Sequence, residues 1–145
     1  MHSSATWDNA QALIDAVTLW WRSCPGARGA ALVGSHARGE ARPNSDIDFV
    51  LLCQTPLDYL EDTSWVRRFG EPDAMRRETW GDVESLRVWY PDFEVEYGLT
   101  SLAWASDSRD PGVQQVIRQG IHILYDEDGV LAARVARVLA IPPEG

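Results

Sequence analysis

The stretch GSHARGEARPNSDIDFVLL, residues 34–52, sets a Gly-Ser pair, a ten-residue spacer and an Asp-Ile-Asp triplet ahead of an apolar run. Side chains alternate across a strand. With Ile47 to Cys53 as a strand, Asp46, Asp48, Val50 and Leu52 share one face, and Ile47, Phe49, Leu51 and Cys53 the other. Two carboxylates then lie together at the mouth of a buried strand, where desolvation is costly and each repels the other. A hard divalent cation between them reverses that balance, since Mg²⁺ takes oxygen ligands from one or two carboxylates plus substrate phosphates. An Asp-x-Asp by itself is more often a pair of solvated acids at a strand entrance. Gly34-Ser35 adds weight, because it follows the apolar run GAALV (29–33) and precedes the helix-forming HARGEAR (36–42). Glycine lets the backbone approach a phosphate, exposed N–H groups at a helix start attract anions, and Ser35 adds a hydroxyl. Gly-Ser alone is also an ordinary strand-to-helix turn.

Outward from this stretch the chain alternates between helix and strand patterns. Residues 7–23 read as a helix, with Leu13, Ala16, Val17, Trp20 and the adjoining Cys24 at helical spacing, Thr6 as N-cap and Pro25-Gly26 as the stop. Residues 29–33 read as a strand, and so do 47–53. The segment 57–69 is helical with a break expected at Thr63-Ser64. ESLRVWY (84–90) and FEVEYGL (93–99), joined through Pro91-Asp92, form a hairpin signature, with MRRETW (75–80) as an edge strand. Helices follow at 111–119, with Pro111 in its first turn, and at 129–140, with the short apolar run 121–125 between them. No repeat, linker or low-complexity tract interrupts this order, which argues one α/β domain over residues 1–145. Its core spans about 29–100, with flanking helices at 7–23 and 111–140.

Composition bounds the function. A net charge of −9 over 145 residues repels phosphate backbones and argues against broad nucleic-acid binding, yet admits a nucleotide delivered as a metal complex. Cys24 and Cys53 lack framework spacing and read as buried thiols. No basic leader and no run of about 20 apolar residues is present, so a cytoplasmic protein without membrane contact is expected. Of seven tryptophans, Trp20 fits the core face of the first helix. Trp80, Trp89 and Trp104 read first as core or interface packing, with an aromatic acceptor pocket as the alternative. His36 reads as a solvated turn residue, His122 as structural, and Arg118, Arg134 and Arg137 as helix-surface charges.

Gly34-Ser35, ten residues and Asp46-Ile47-Asp48, with Ser45 before the first acid and Arg38-Gly39 inside the spacer, resemble the nucleotidyltransferase motif of the DNA polymerase β superfamily. The spacing is that of its minimal members. The resemblance implies an α/β (α+β) fold, a mixed sheet flanked by helices. It also implies a third carboxylate on a neighbouring strand. Glu96 and Glu94 are the candidates; Glu96 is preferred because it lies within the apolar strand, and a Glu departs from the family's usual Asp.

The implied activity is metal-dependent transfer of an NMP, AMP being the expected one, from ATP or another NTP to an acceptor hydroxyl. Two Mg²⁺ ions held by Asp46, Asp48 and the third acid would stabilise the attacking and leaving oxygens of an in-line displacement. Gly34 and Ser35 would hold the β- and γ-phosphates. Arg38 or Arg42 would offset pyrophosphate charge, a role that stands even with that of plain surface charges. Glu96 would also accept the hydroxyl proton. The acceptor is either a partner protein, as for stand-alone members that act as antitoxins on HEPN-type toxins, or a small molecule, as for aminoglycoside-type resistance enzymes, with a homodimer completing the pocket. The rival reading is a non-catalytic, partner-binding module of the same fold.

Overall fold

A computed structural model describes residues 9–42, 45–80, 83–101, 104 and 111–140. Helix α1 (Ala10–Arg22) starts at Asn9, whose side chain accepts from the Ala12 N–H and so satisfies one of the orphan donors of the first turn. Thr6, the expected cap, lies outside the described residues. Strand β1 (Ala27–Val33) leads into the short helix α2 (Gly34–Arg38), and β2 is Ile47–Cys53. The expected two turns of α2 shrink to five residues because Gly39 adopts a left-handed φ of 71° and ends the helix. Arg42 is thereby left outside it. The segment 57–69 divides into helix α3 (Pro56–Glu61) and a 3₁₀ turn (Ser64–Phe69), with the break at Asp62–Thr63, one residue before the expected Thr63-Ser64. Strands β3 (Ala74–Trp80), β4 (Val83–Trp89) and β5 (Glu94–Thr100) follow, then α4 (Pro111–Gln119), β6 (His122–Asp126) and α5 (Val130–Ala140).

The six strands form one mixed sheet in the order β3-β4-β5-β2-β1-β6. Only β2 and β5 run parallel among these neighbours. Period-two alternation sends the two sides of β2 into different cores. Ile47, Phe49, Leu51 and Cys53 join Val95, Tyr97 and Leu99 under α1, α3 and the 3₁₀ turn. Val50 and Leu52 join Ala31, Trp104, Val113, Ile117, Leu131 and Val138 on the α4 and α5 side. Asp46 and Asp48 open onto this second side.

On the first side Trp21, not Trp20, is the fully buried indole, and its Nε1 donates to the Gly29 carbonyl at 2.8 Å. Trp20 is half-buried, stacked on Trp65 with centroids 5.0 Å apart. Tyr90 Oη donates to the Val66 carbonyl at 2.7 Å and lies 2.9 Å from Tyr97 Oη. Each such buried aromatic contributes roughly 1.5–3 kcal/mol, and together they fasten the 3₁₀ turn to β5. Both cysteines are free, Cys53 buried and Cys24 half-buried, and burial pushes the Cys53 thiol up to about 11. His36 is half-buried rather than solvated, His122 is exposed, and Arg134 is buried at the α5 face rather than displayed on it. No helix among the described residues is long and apolar enough to cross a membrane.

Candidate active site

The parallel pairing of β2 and β5 places Asp48 directly opposite Glu96. Paired residues share a sheet face, so both carboxylates project to the α4 side, and Asp46 joins them from the entrance of β2. Single carboxylate oxygens of Asp46, Asp48 and Glu96 all lie within 4.8 Å of one another. Three acids at this separation repel strongly unless protons or cations intervene. The Asp48 carboxyl is pushed up to about 7, first by burial, then by the charges of Asp46 and Glu96 and a hydrogen bond with Asp46; Arg87 opposes the rise. Asp48 Oδ1 is buried and has no hydrogen-bond partner among the described residues. An orphaned buried carboxylate oxygen beside two further carboxylates is the donor set a hard divalent cation takes, so these residues fit such an ion.

Gly34 is what allows this arrangement. Its φ is +74°, and a Cβ there would stand 2.4 Å from Asp48 Oδ2. Glycine is required twice over, by conformation and by space. A cleft of about 600 Å³ opens over the acids. Gly34, Arg38, Asp46, Asp48, Arg87 and Glu96 supply its polar wall, and Val33, Val50, Val83, Trp104, Val113 and Val116 its apolar one. Gly98, two residues on from Glu96, leaves room for close packing at the cleft wall, since a Cβ there would lie 3.1 Å from Val83 Cγ1 and 3.0 Å from the Phe49 carbonyl.

The candidates named from the sequence separate as follows. Asp46, Asp48 and Glu96 converge. Glu94 does not join them: its Oε1 accepts from Trp89 Nε1 at 3.0 Å and its Oε2 is held by Arg87. Arg38 lines the cleft and pairs with Glu40 at 2.6 Å. Ser35 and Arg42 are not among the cleft-lining residues; Arg42 is exposed, its backbone N–H donating to Ser45 Oγ at 2.8 Å. Trp104 does line the cleft, while Trp89 packs under Arg76 with 5.5 Å from guanidinium to ring centroid. The Trp80 side chain lies outside the described residues.

Sequence reasoning missed Arg87. It sits on β4 opposite Glu96, and its guanidinium reaches four carboxylates: Glu96 (2.6 Å), Glu78 (3.1 Å), Asp46 (3.4 Å) and Glu94. Burial works against its charge, but hydrogen bonds to Glu94 and Glu78 and the charge of Glu96 outweigh that and raise its pKa. The available signal was a charged residue inside the strand ESLRVWY, facing FEVEYGL across a hairpin.

A sequence model of the family described as Nucleotidyltransferase domain matches residues 25–105, more than half of the 145-residue chain. No curated protein sequence matches it. Among solved structures, an aminoglycoside 6-adenyltransferase from Bacillus subtilis superposes with a TM-score of 0.53 at 14% identity, over 66% of this chain and 36% of that one. A cytoplasmic RNA terminal U-transferase gives 0.48 at 18% identity, over 75% and 31%. A toxin-antitoxin protein crystallised with AMP-PNP gives 0.46 at 14%, over 88% and 84%. The chain spans about a third of the length of the adenyltransferase, a likeness that speaks to the fold alone.

Proposed function

The chain belongs to the nucleotidyltransferase-domain family, and on that premise we propose that it transfers a nucleoside monophosphate, AMP in this reading, from an NTP to an acceptor hydroxyl. The observation that carries the proposal is the convergence of Asp46, Asp48 and Glu96 within 4.8 Å at a cleft, with Asp48 Oδ1 buried and lacking a partner. These three acids would hold Mg²⁺, two ions in this reading. The bound metal would supply charge neutralisation of the triphosphate and of the oxygens entering and leaving phosphorus.

The chain's own groups do the rest. Gly34 brings backbone to the acids without a side chain in the way, and with Ser35 it is assigned to the β- and γ-phosphates. Arg38, on the cleft wall, offsets pyrophosphate charge; Arg42 would have to swing in from its exposed position to share that role. Glu96 accepts the hydroxyl proton. A cation held there would favour the ionised form of Asp48, whose carboxyl burial and the neighbouring acids otherwise push up to about 7. The apolar wall formed by Val50, Val83 and Trp104 faces the rest of the substrates. The acceptor is a hydroxyl of a partner protein or of a small molecule. An aminoglycoside adenyltransferase shares the fold, but its substrate does not transfer to this chain at 14% identity.

The test incubates the protein, Mg²⁺ and each α-labelled NTP with aminoglycosides and with the proteins encoded beside it, together with the D46N and D48N variants. Label should move to one acceptor, with ATP as the preferred donor, in wild type alone. Nucleotide binding that is identical in Mg²⁺ and in EDTA would overturn the reading in favour of a non-catalytic module.

A further inference from the structure

Five carboxylates crowd one side of the sheet: Glu78 on β3, Glu94 and Glu96 on β5, and Asp46 and Asp48 at β2. Arg87 lies among them on β4, with only 15% of its side chain exposed. Its three guanidinium nitrogens are all committed. Nε donates to Glu78 at 3.1 Å, Nη2 to Glu96 at 2.6 Å, and Nη1 is shared between Glu94 and Asp46. Arg76 reaches only the outlying Glu78, at 2.6 Å. Arg87 is therefore bonded to two of the three acids that converge on the cleft.

A guanidinium and a metal ion make competing demands on the same oxygens. A carboxylate oxygen in a charge-assisted bond is a poorer metal ligand, and a unit positive charge a few ångströms away disfavours a divalent cation further. Yet without any cation the acids would be left to repel one another. We propose that Arg87 is the resident counter-cation of the site: it holds Glu96 and Asp46 together while the ion is absent, and it sets the affinity for the ion by competing for Glu96. Loading the site then loosens the Nη2–Glu96 bond while Glu78 and Glu94 retain the guanidinium. Arg87 is a positioning residue in this scheme, acting through Glu96, and Glu94 is the anchor that draws it back. The inference rests on the reading of Asp46, Asp48 and Glu96 as a cation site.

Calorimetric Mg²⁺ titration of the purified, substrate-free protein, with thermal melts in EDTA, tests it. R87Q should melt lower than wild type in EDTA and bind Mg²⁺ at least about tenfold more tightly. R87K keeps the charge without the fork and should stay within about threefold of wild type. E94Q frees Nη1 for the cleft acids and should weaken Mg²⁺ binding about threefold or more, which keeps the test alive if R87Q fails to fold. Unchanged or weaker Mg²⁺ binding by R87Q, or unchanged binding by E94Q, overturns the role of Arg87 while leaving the cation site standing. Failure of wild type to bind Mg²⁺ overturns both.

Discussion

Replacing Asp48 with Asn should make the ion-free protein more stable while abolishing transfer. In the folded state the carboxyl is raised from 3.8 to about 7, chiefly by burial and then by Asp46 and Glu96. Above pH 7 the fold must carry it ionised against that penalty. At about 1.36 kcal/mol per pKa unit the shift corresponds to ~4 kcal/mol. Asp48 is only half-buried, so solvent screening reduces this to about 2–3 kcal/mol. The sign follows from proton linkage. Between about pH 4 and 7 the native state holds a proton that the unfolded chain does not, so stability falls as pH rises through this window. Only the part of that window above pH 5 is sampled between pH 5 and 8, so wild type should lose about 1–2 kcal/mol there, and D48N, which cannot ionise, should lose much less. Urea unfolding at both pH values in EDTA measures the difference. At pH 8 the variant should melt about 4–10 °C above wild type. Mg²⁺ should reverse the ranking by stabilising wild type alone. A D48N protein that is less stable than wild type at pH 8 in EDTA refutes the reasoning, because the aspartate would then be making a favourable contact the geometry does not contain.

Glu96→Gln should cut transfer by orders of magnitude, while Glu94→Gln at saturating Mg²⁺ should cost less than about tenfold, since only Glu96 faces Asp48 across the β2–β5 pair; steady-state kinetics decides, and a dead Glu94 variant would redraw the site. Gly34→Ala forces a Cβ to 2.4 Å from Asp48 Oδ2 at a φ of +74° and should cost about 2 kcal/mol or more together with activity; an active Ala variant of wild-type stability would show that the acids sit elsewhere. Trp21→Phe removes the 2.8 Å bond to the Gly29 carbonyl and part of a fully buried ring, at about 2–3 kcal/mol, read by chemical denaturation, whereas Trp20→Phe should cost under about half as much.

Much of this site is written in short-range spacing. Alternation along Asp46 to Cys53 is enough to put two acids on one face and four apolar groups on the other, because the side-chain period of an extended chain is local geometry. The same holds for the hairpin after Val83, for the amphipathic helices, and for the glycine after β1. Residue pairs distant in sequence are another matter. The choice between Glu94 and Glu96 depends on the parallel register of β5 against β2, which is set by hydrogen bonds between segments some fifty residues apart; slipping a strand by two residues keeps every face and exchanges the acids. Arg87 gains its meaning only through that same register, since a lone arginine in an edge-side strand says nothing of the four carboxylates it will meet. Trp21 displaces Trp20 from the deepest position because helix rotation answers to the sheet beneath it, and the Gly29 carbonyl waits at one azimuth only. Burial of His36 and Arg134 depends likewise on what packs over them. Spacing along a chain specifies directions; which charges come to share a few ångströms of low-dielectric space is a property of the assembled sheet.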